Sequence, residues 1–199
     1  MKTLLLATRN AGKKVELQEM LNDPGISVLN LHDIPPLPEV VEDGTTFQEN
    51  AVKKARETAI ATGYWCLADD SGLVVDALNG QPGIYSARFA GAEASDADNN
   101  QKLLDLMEDM DETKRNARFV CCMALSSPAG ETLVVEDNCE GIILRQPVGE
   151  QGFGYDPLFM PQGYNQSMAQ LSRQEKNLIS HRGKALNRIK PILLARMNE

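Results

Sequence analysis

Thr3-Leu4-Leu5-Leu6-Ala7-Thr8-Arg9-Asn10-Ala11-Gly12-Lys13 decides how the rest of the chain is read. Thr3 to Ala7 is a short apolar run, the pattern of a buried strand. The polar turn from Thr8 to Gly12 leads into a helix from about Lys13 to Leu21, with Leu17, Met20 and Leu21 as its inward face. Such a turn gathers backbone N–H groups and the positive end of a helix dipole, which together favour an anion. Lys13 adds a full charge. The Walker A pattern is absent, so the turn reads either as a phosphate site of another kind or as a plain capped turn with a solvated lysine.

Outward from this unit, strands and helices alternate. Ile26–Leu31 reads as a second strand, and Pro35, Pro36 and Pro38 make the segment from His32 to Gly44 a stiff loop. Thr46-Phe47-Gln48-Glu49 reads as a capping box. Phe47, Ala51, Ala55 and Ala59 then recur at i, i+4 as a core stripe, while Asn50 and Lys54 share another face. Trp65–Ala68 and Leu73–Leu78 read as strands on either side of Asp69-Asp70-Ser71-Gly72. Ser95 caps a helix to about Met110. Ala117–Ser127 and Thr132–Leu144 read as a β-hairpin turning at Pro128-Ala129-Gly130. Gly152 to Pro157 is a tight loop before a short strand. Ser172-Arg173-Gln174-Glu175 is a second capping box, and Ser180 restarts the chain as a last helix. The alternation with an added hairpin predicts an α/β protein: one long mixed sheet with flanking helices, and two lobes around a central cleft. At 199 residues the chain is expected to form a single domain of two lobes, residues 1–199.

The composition narrows the function. Hydrophobic residues make up 42% and charged residues 24%, ordinary values for a globular protein. No apolar run approaches the ~20 residues of a membrane helix. The early apolar run is broken at once by Arg9, Asn10, Lys13 and Lys14, which argues against export. A net charge of −8, with no run of five like charges, opposes binding to nucleic acid or to a membrane surface. Positive charge must instead be gathered locally, which suits a compact anion. Cys66, Cys121, Cys122 and Cys139 lack zinc-ligand spacing and read as buried thiols in a reducing cytoplasm.

Four segments carry candidate chemistry. Besides Thr8 to Lys13, the adjacent Asp69 and Asp70 repel each other unless a cation offsets them. A loose oxygen site of this kind suits Mg²⁺, with one carboxylate for the metal and the other taking a proton from water; a solvated turn is the alternative. Lys54, Lys176, His181 and Arg182 are scattered cations, the last three around a helix break. In Gly152-Phe153-Gly154-Tyr155-Asp156 the flanking glycines present Phe153 either as a stacking surface, with Asp156 as an acceptor, or as a core anchor.

Together, Thr8–Lys13, Phe47–Ala55, Ala68–Leu73, Pro82–Phe89, Gly152–Pro157 and Ser180–Ala185 resemble, in order, the motifs of the inosine triphosphate pyrophosphatase family. Its members remove deaminated purine nucleotides. The resemblance implies a cytoplasmic, Mg²⁺-dependent homodimer that cleaves dITP, ITP or XTP between the α- and β-phosphates, leaving the monophosphate and pyrophosphate. By the same resemblance, Thr8, Arg9, Asn10, Ala11, Gly12 and Lys13 match the phosphate turn, and Lys54 a phosphate-facing lysine. Asp70 matches the proton acceptor and a metal ligand, Glu42 the second metal ligand and Ser71 a substrate contact. Phe153, Gly154, Tyr155, Asp156, Lys176, His181 and Arg182 match base and phosphate contacts.

The implied chemistry is physically coherent. Phosphoryl transfer asks mainly for in-line positioning and charge stabilisation, so no covalent nucleophile is needed. Donors from Lys176, His181 and Arg182 suit the C6 oxygen of hypoxanthine or xanthine and oppose the amino group of adenine. Two alternatives stand beside this one: a pyrophosphatase for modified pyrimidine nucleotides, and a nucleotide-binding regulator without turnover.

Overall fold

The computed structural model of the chain describes residues 2–198, with the side chains of Ala11, Glu16 and Asn198 outside the description. Its strands are β1 (Lys2–Leu6), β2 (Ile26–Asn30), β3 (Trp65–Val75), β4 (Asn116–Ser126), β5 (Thr132–Ile143) and β6 (Phe159–Pro161). Its α-helices are α1 (Ala11–Leu21), α2 (Phe47–Thr62), α3 (Asp96–Leu106), α4 (Arg173–Ile179) and α5 (His181–Asn198). The strands form one sheet in the order β2-β1-β3-β4-β5-β6. β1 runs parallel to β2, with Leu4 opposite Val28, and parallel to β3, with Leu5 opposite Cys66. β5 and β6 are antiparallel, with Ile142 opposite Met160. The mixed sheet and α/β class are as the sequence predicts.

The chain divides into two compact units. The first takes in the chain up to Asp70, Cys121–Glu136 and everything from Ala185 on. Its strands have two apolar faces, because successive side chains alternate. Leu4, Leu6, Val28, Leu67, Cys121, Met123 and Leu125 pack with Leu17 and Leu21 of α1 and with Leu186, Ile189 and Leu193 of α5. Ala7, Cys66, Ala68, Cys122 and Ala124 pack with Ala51, Ala55 and Ala59 of α2. Small residues on both sides of that second layer bring α2 close to the strands. Cys121 and Cys122 thus go to opposite cores, and all four cysteines are buried free thiols.

The second unit comprises Ser71–Val120 and Asp137–Lys184. Its core joins Leu73, Val75, Phe119, Ile143 and Phe159 to Leu103 and Met107 of α3 and to Tyr155 and Leu158 of the loop before β6. Arg115 is 1% exposed. Its guanidinium donates to the carbonyl oxygens of Met107, Ile143 and Leu144 at 2.7–2.9 Å, so a buried cation closes the ends of α3 and β5.

Four boundaries differ from the sequence reading, each for a local reason. α1 begins at Ala11, two residues early, because Asn10 is its N-cap: Asn10 Oδ1 accepts from the Gly12 and Lys13 N–H groups. The two runs around Asp69-Asp70-Ser71-Gly72 are one unbroken strand, β3, and the solvated turn is excluded. Gly72 does not break it because Leu73 N–H is bound by Ser86 Oγ at 2.9 Å. Thr46 caps α2 by accepting from Glu49 N–H, but the Glu49 carboxylate returns to Thr45 N–H at 2.6 Å, one residue before the capping-box position. α3 stops at Leu106, four residues early, while Ser95 and Asp98 form its full capping box. Ser172 and Glu175 form another, as expected.

Candidate functional site

The first unit brings together the β1–α1 turn, the paired aspartates of β3 and the lysines of α1 and α2. At the mouth of β1, Thr8 Oγ1 accepts from Asn10 N–H at 3.2 Å, and Asn10 Oδ1 accepts from Gly12 N–H at 2.8 Å and Lys13 N–H at 3.3 Å. The N–H groups expected to be free at this turn are therefore held by the Asn10 side chain. Thr8 and Asn10 shape the turn, Arg9 is exposed, and the Ala11 side chain lies outside the described part.

Strand alternation separates the two aspartates of β3. Asp69 falls on the face of Leu67, toward α1, and Lys13 Nζ reaches both its oxygens at 2.9 and 2.7 Å. Asp70 falls on the face of Cys66 and Ala68, toward α2, where Asn50 Nδ2 donates to its Oδ2 at 3.0 Å. Asn50 is buried, and its Oδ1 accepts Gly44 N–H at 2.9 Å, so one amide ties the end of the proline-rich loop to Asp70. Gly44 permits this: a Cβ there would lie 2.6 Å from Asn50 Oδ1. Lys54, one turn further along α2, holds Glu42 at 3.0 Å, while the next loop residue, Asp43, pairs with Lys53 at 2.6 Å. Glu42 and Lys54 both act electrostatically on Asp70. Ser71 follows in the strand, half-buried.

Burial pushes the Asp70 carboxyl above its ordinary value; Lys54 and the Asn50 hydrogen bond oppose that, and Glu42 and Asp69 add to it. An acid held back from ionising in this way is the type of group that serves as a proton acceptor near neutrality.

The second unit sets an exposed aromatic ring beside two cations. Phe153, at the tip of the loop before β6, is 58% exposed, so it is not a core anchor. Lys176 Nζ lies 4.8 Å and Arg182 Cζ 5.7 Å from its ring centroid. Asp156 is buried inside the loop, accepting Phe153 N–H at 2.9 Å and a short hydrogen bond from Lys176 Nζ. That is a correction to its expected role as an open acceptor, since its carboxylate organises the loop and orients Lys176. Tyr155 is also internal, and its hydroxyl donates to Ser86 O at 2.8 Å. Gly154 is fixed from α3: its N–H donates to Asp96 Oδ2 at 2.6 Å and its carbonyl accepts from Asn100 Nδ2 at 2.9 Å.

The helix break after α4 gathers the remaining cations. Ser180 ends α4 by donating N–H to Lys176 O, and its Oγ accepts Gly183 N–H to begin α5. Lys176 therefore sits on one side of the break, with His181 and Arg182 on the other. The His181 ring is buried and stacked on Phe119 at 4.9 Å, which sets the plane of the imidazole. Beside the loop, a cavity of about 400 Å³ is lined by Asp96, Asn100, Leu104, Gly152, Phe153 and Gly154, among others.

Sequence reasoning missed Asn50, Ser86, Asp96 and Asn100 as site residues. The available signals were Asn50 lying four residues before Lys54, and Asp96 lying four before Asn100, each pair on one helix face.

A model of the Ham1 family matches residues 4–192. A protein of Desulforamulus reducens named dITP/XTP pyrophosphatase is 52% identical over 96% of this chain and 94% of its own length. One of Nocardia farcinica with the same name is 49% identical over 98% and 96%. The solved structure of a HAM1 protein from Coxiella burnetii superposes with a TM-score of 0.91 at 42% identity, covering 98% of this chain and all of that one. A nucleoside-triphosphatase, dITP/XTP pyrophosphatase, from Mycobacterium abscessus superposes at 0.81 with 45% identity over 94% and 98%. With the family model matching nearly the whole chain and relatives about half identical over almost their full length, the chain belongs to the Ham1 family.

Proposed function

We propose that this protein is a nucleoside triphosphate pyrophosphatase that hydrolyses dITP, ITP and XTP to the monophosphate and pyrophosphate. Removing such nucleotides keeps deaminated purines out of DNA and RNA. The observation that carries the reading is Asp70, a half-buried carboxylate hydrogen-bonded to Asn50 beside the Lys54–Glu42 pair. The names of the relatives, dITP/XTP pyrophosphatase, support dITP and XTP among these substrates.

The donor set fits Mg²⁺. Among the described residues no cluster of three or more metal-binding side chains occurs. Mg²⁺ bound to a polyphosphate needs only one or two protein carboxylates, since phosphate oxygens and water complete its shell. Glu42 and Asp70 are the residues that would hold it. When bound, the ion neutralises phosphate oxygens and stabilises charge developing on the leaving pyrophosphate.

The chain's own residues do the rest. Asp70 orients the attacking water and accepts its proton, with Asn50 fixing the carboxylate. Lys54, Lys13 and the N-terminal turn of α1, with Thr8 to Gly12, bind the polyphosphate, and Ser71 contacts the substrate. A bound phosphate competes with Asp69 for Lys13 and with the Asn10 side chain for the Gly12 and Lys13 N–H groups. Phe153 stacks on the base, and Lys176, Arg182 and His181 direct donors at its C6 oxygen. Adenine would meet those donors with an amino group and leave them unpaired, a mismatch that can reject an analogue by ~10⁴-fold. Gly154, Tyr155 and Asp156 shape this surface. On the family resemblance we also propose a cytoplasmic homodimer; among the described residues no helix is long and apolar enough to cross a membrane.

The test is product analysis on ITP, dITP, XTP, GTP, ATP and a modified pyrimidine triphosphate, with Mg²⁺ and with chelator. Pyrophosphate released from the first three, with ATP and GTP poor, is the expected result. ATP turned over as fast as ITP would overturn the base reading. Preference for the pyrimidine, or binding without turnover, would favour the two alternatives.

A further inference from the structure

We propose that Asp96 and Asn100 of α3 are positioning residues that set the nucleobase platform through Gly154. The proposal rests on the reading of Phe153 as the base-stacking surface. Gly154 is the residue next to Phe153, with φ +60, and its peptide groups face α3. Asp96 takes its N–H at 2.6 Å and Asn100 gives to its carbonyl at 2.9 Å. Asp96 and Asn100 are one helical turn apart, so they present an acceptor and a donor from the same face. The peptide units on both sides of the Gly154 Cα are thereby held by one rigid helix.

The neighbouring residues of the loop are tied elsewhere. Tyr155 donates to Ser86 O, and Asp156 draws in Phe153 N–H and Lys176. Phe153 itself is exposed, so its ring is placed by its backbone and not by surrounding packing. Of the contacts that hold this backbone, Asp96 acts on the peptide that directly follows the ring-bearing residue and Asn100 on the one after it. Loss of either would let the 152–156 loop rotate and would carry the ring away from Lys176 and Arg182. Asn100 is buried and its Oδ1 has no hydrogen-bond partner among the described residues, so its amide is oriented by the Gly154 carbonyl alone. It also lines the cavity beside the loop, which leaves room for the loop to collapse toward α3 once the clamp is cut.

The test uses the full chain with Asp96→Ala, Asp96→Asn and Asn100→Ala. Asp96 is exposed, so its variants are expected to fold even if Asn100→Ala does not. Asp96→Ala should raise KM for dITP about three- to tenfold with kcat little changed, less than the full worth of a charge-assisted hydrogen bond because Asp96 acts through the loop, and should lower the dITP-over-dGTP ratio. Asp96→Asn retains an acceptor and should restore most of the loss. Amide exchange at residues 152–156 should rise in Asp96→Ala while the β3 core is unchanged. An unchanged KM and ratio, or exchange at 152–156 equal to wild type, overturns the proposal. So does a loss in kcat alone. If the wild-type protein fails to hydrolyse dITP, the functional reading has failed instead, and the exchange measurement still decides whether the clamp holds the loop.

Discussion

Lys13 grips both carboxylate oxygens of Asp69, at 2.9 and 2.7 Å, across the interface of α1 and β3. The next residue, Asp70, points to the other face of the strand and meets α2. Two adjacent acids of one strand are thus given different surroundings by alternation alone. One is neutralised by a lysine, and the other is held back from ionising by burial.

This separation predicts different phenotypes. Asp70→Asn should lower kcat for dITP by about 10²–10⁴-fold, the span of a lost general base, with an unchanged melting temperature. Asp69→Asn should instead cost stability, about 1–2 kcal/mol, because the pair is buried on the Asp69 side and partly solvated at Lys13. Steady-state kinetics and thermal melting on both variants check the assignment. A dead but stable Asp69→Asn beside an active Asp70→Asn would exchange their roles.

Division of the substrate between phosphate and base residues predicts a second split. Phe153→Ala should weaken dITP binding about 5- to 150-fold, the ~1–3 kcal/mol of one base stacked on an aromatic ring. Inhibition by pyrophosphate or inorganic tripolyphosphate, which carry no base, should be unaffected. Lys54→Ala should weaken both. Inhibition constants for the two variants decide it, and an equal loss of tripolyphosphate affinity in Phe153→Ala would contradict the assignment of Phe153 to the base.

The parts of the fold set by local pattern were legible in the sequence. The alanine stripe of α2, the β1–α1 unit, the caps at Ser95 and Ser172 and the helix restart at Ser180 follow from spacing and cap chemistry. The continuity of β3 was not legible, because Asp-Asp-Ser-Gly has the composition of a turn. Tertiary partners hold it extended: Asn50 on Asp70 and Ser86 on Leu73. Nor was the internal role of Asp156. A carboxylate beside an exposed phenylalanine reads as a ligand contact until the fold shows Lys176 and the Phe153 N–H already on it. That Glu42 and Asp43 would each take a lysine of α2 was not legible either, because the loop's course along the helix is set by tertiary contacts.

The caps give a pH dependence of stability. The Asp98 and Glu175 carboxyls are held below their ordinary values by hydrogen bonds from the Ser95 and Ser172 hydroxyls and N–H groups. A lowered folded value means that the stabilisation is fully present above the unfolded carboxyl pKa, about 4, and is lost as pH falls through the folded value. Ser172→Ala should therefore lower the melting temperature at pH 7, at a cost of about 1 kcal/mol, and the gap from wild type should narrow below pH 4. A gap that widens with acid would contradict this.

The two glycines around Phe153 give the sharpest comparison. Both have positive φ, +83 at Gly152 and +60 at Gly154, so alanine at either meets the left-handed penalty of ~1–2 kcal/mol. Their surroundings differ. A Cβ on Gly154 meets nothing within 4 Å. One on Gly152 would overlap the Asp156 carboxylate and come within 3.1 Å of Lys176 Nζ. Gly152→Ala must therefore push apart the buried pair that draws in the Phe153 N–H, whereas Gly154→Ala strains only its own backbone. Gly152→Ala should raise KM for dITP at least tenfold and lower its preference over dGTP, while Gly154→Ala should show a small fall in melting temperature with KM within a few-fold of wild type. Equal effects from the two substitutions would mean that backbone conformation alone governs the loop, and that the Asp156–Lys176 pair has no part in presenting Phe153.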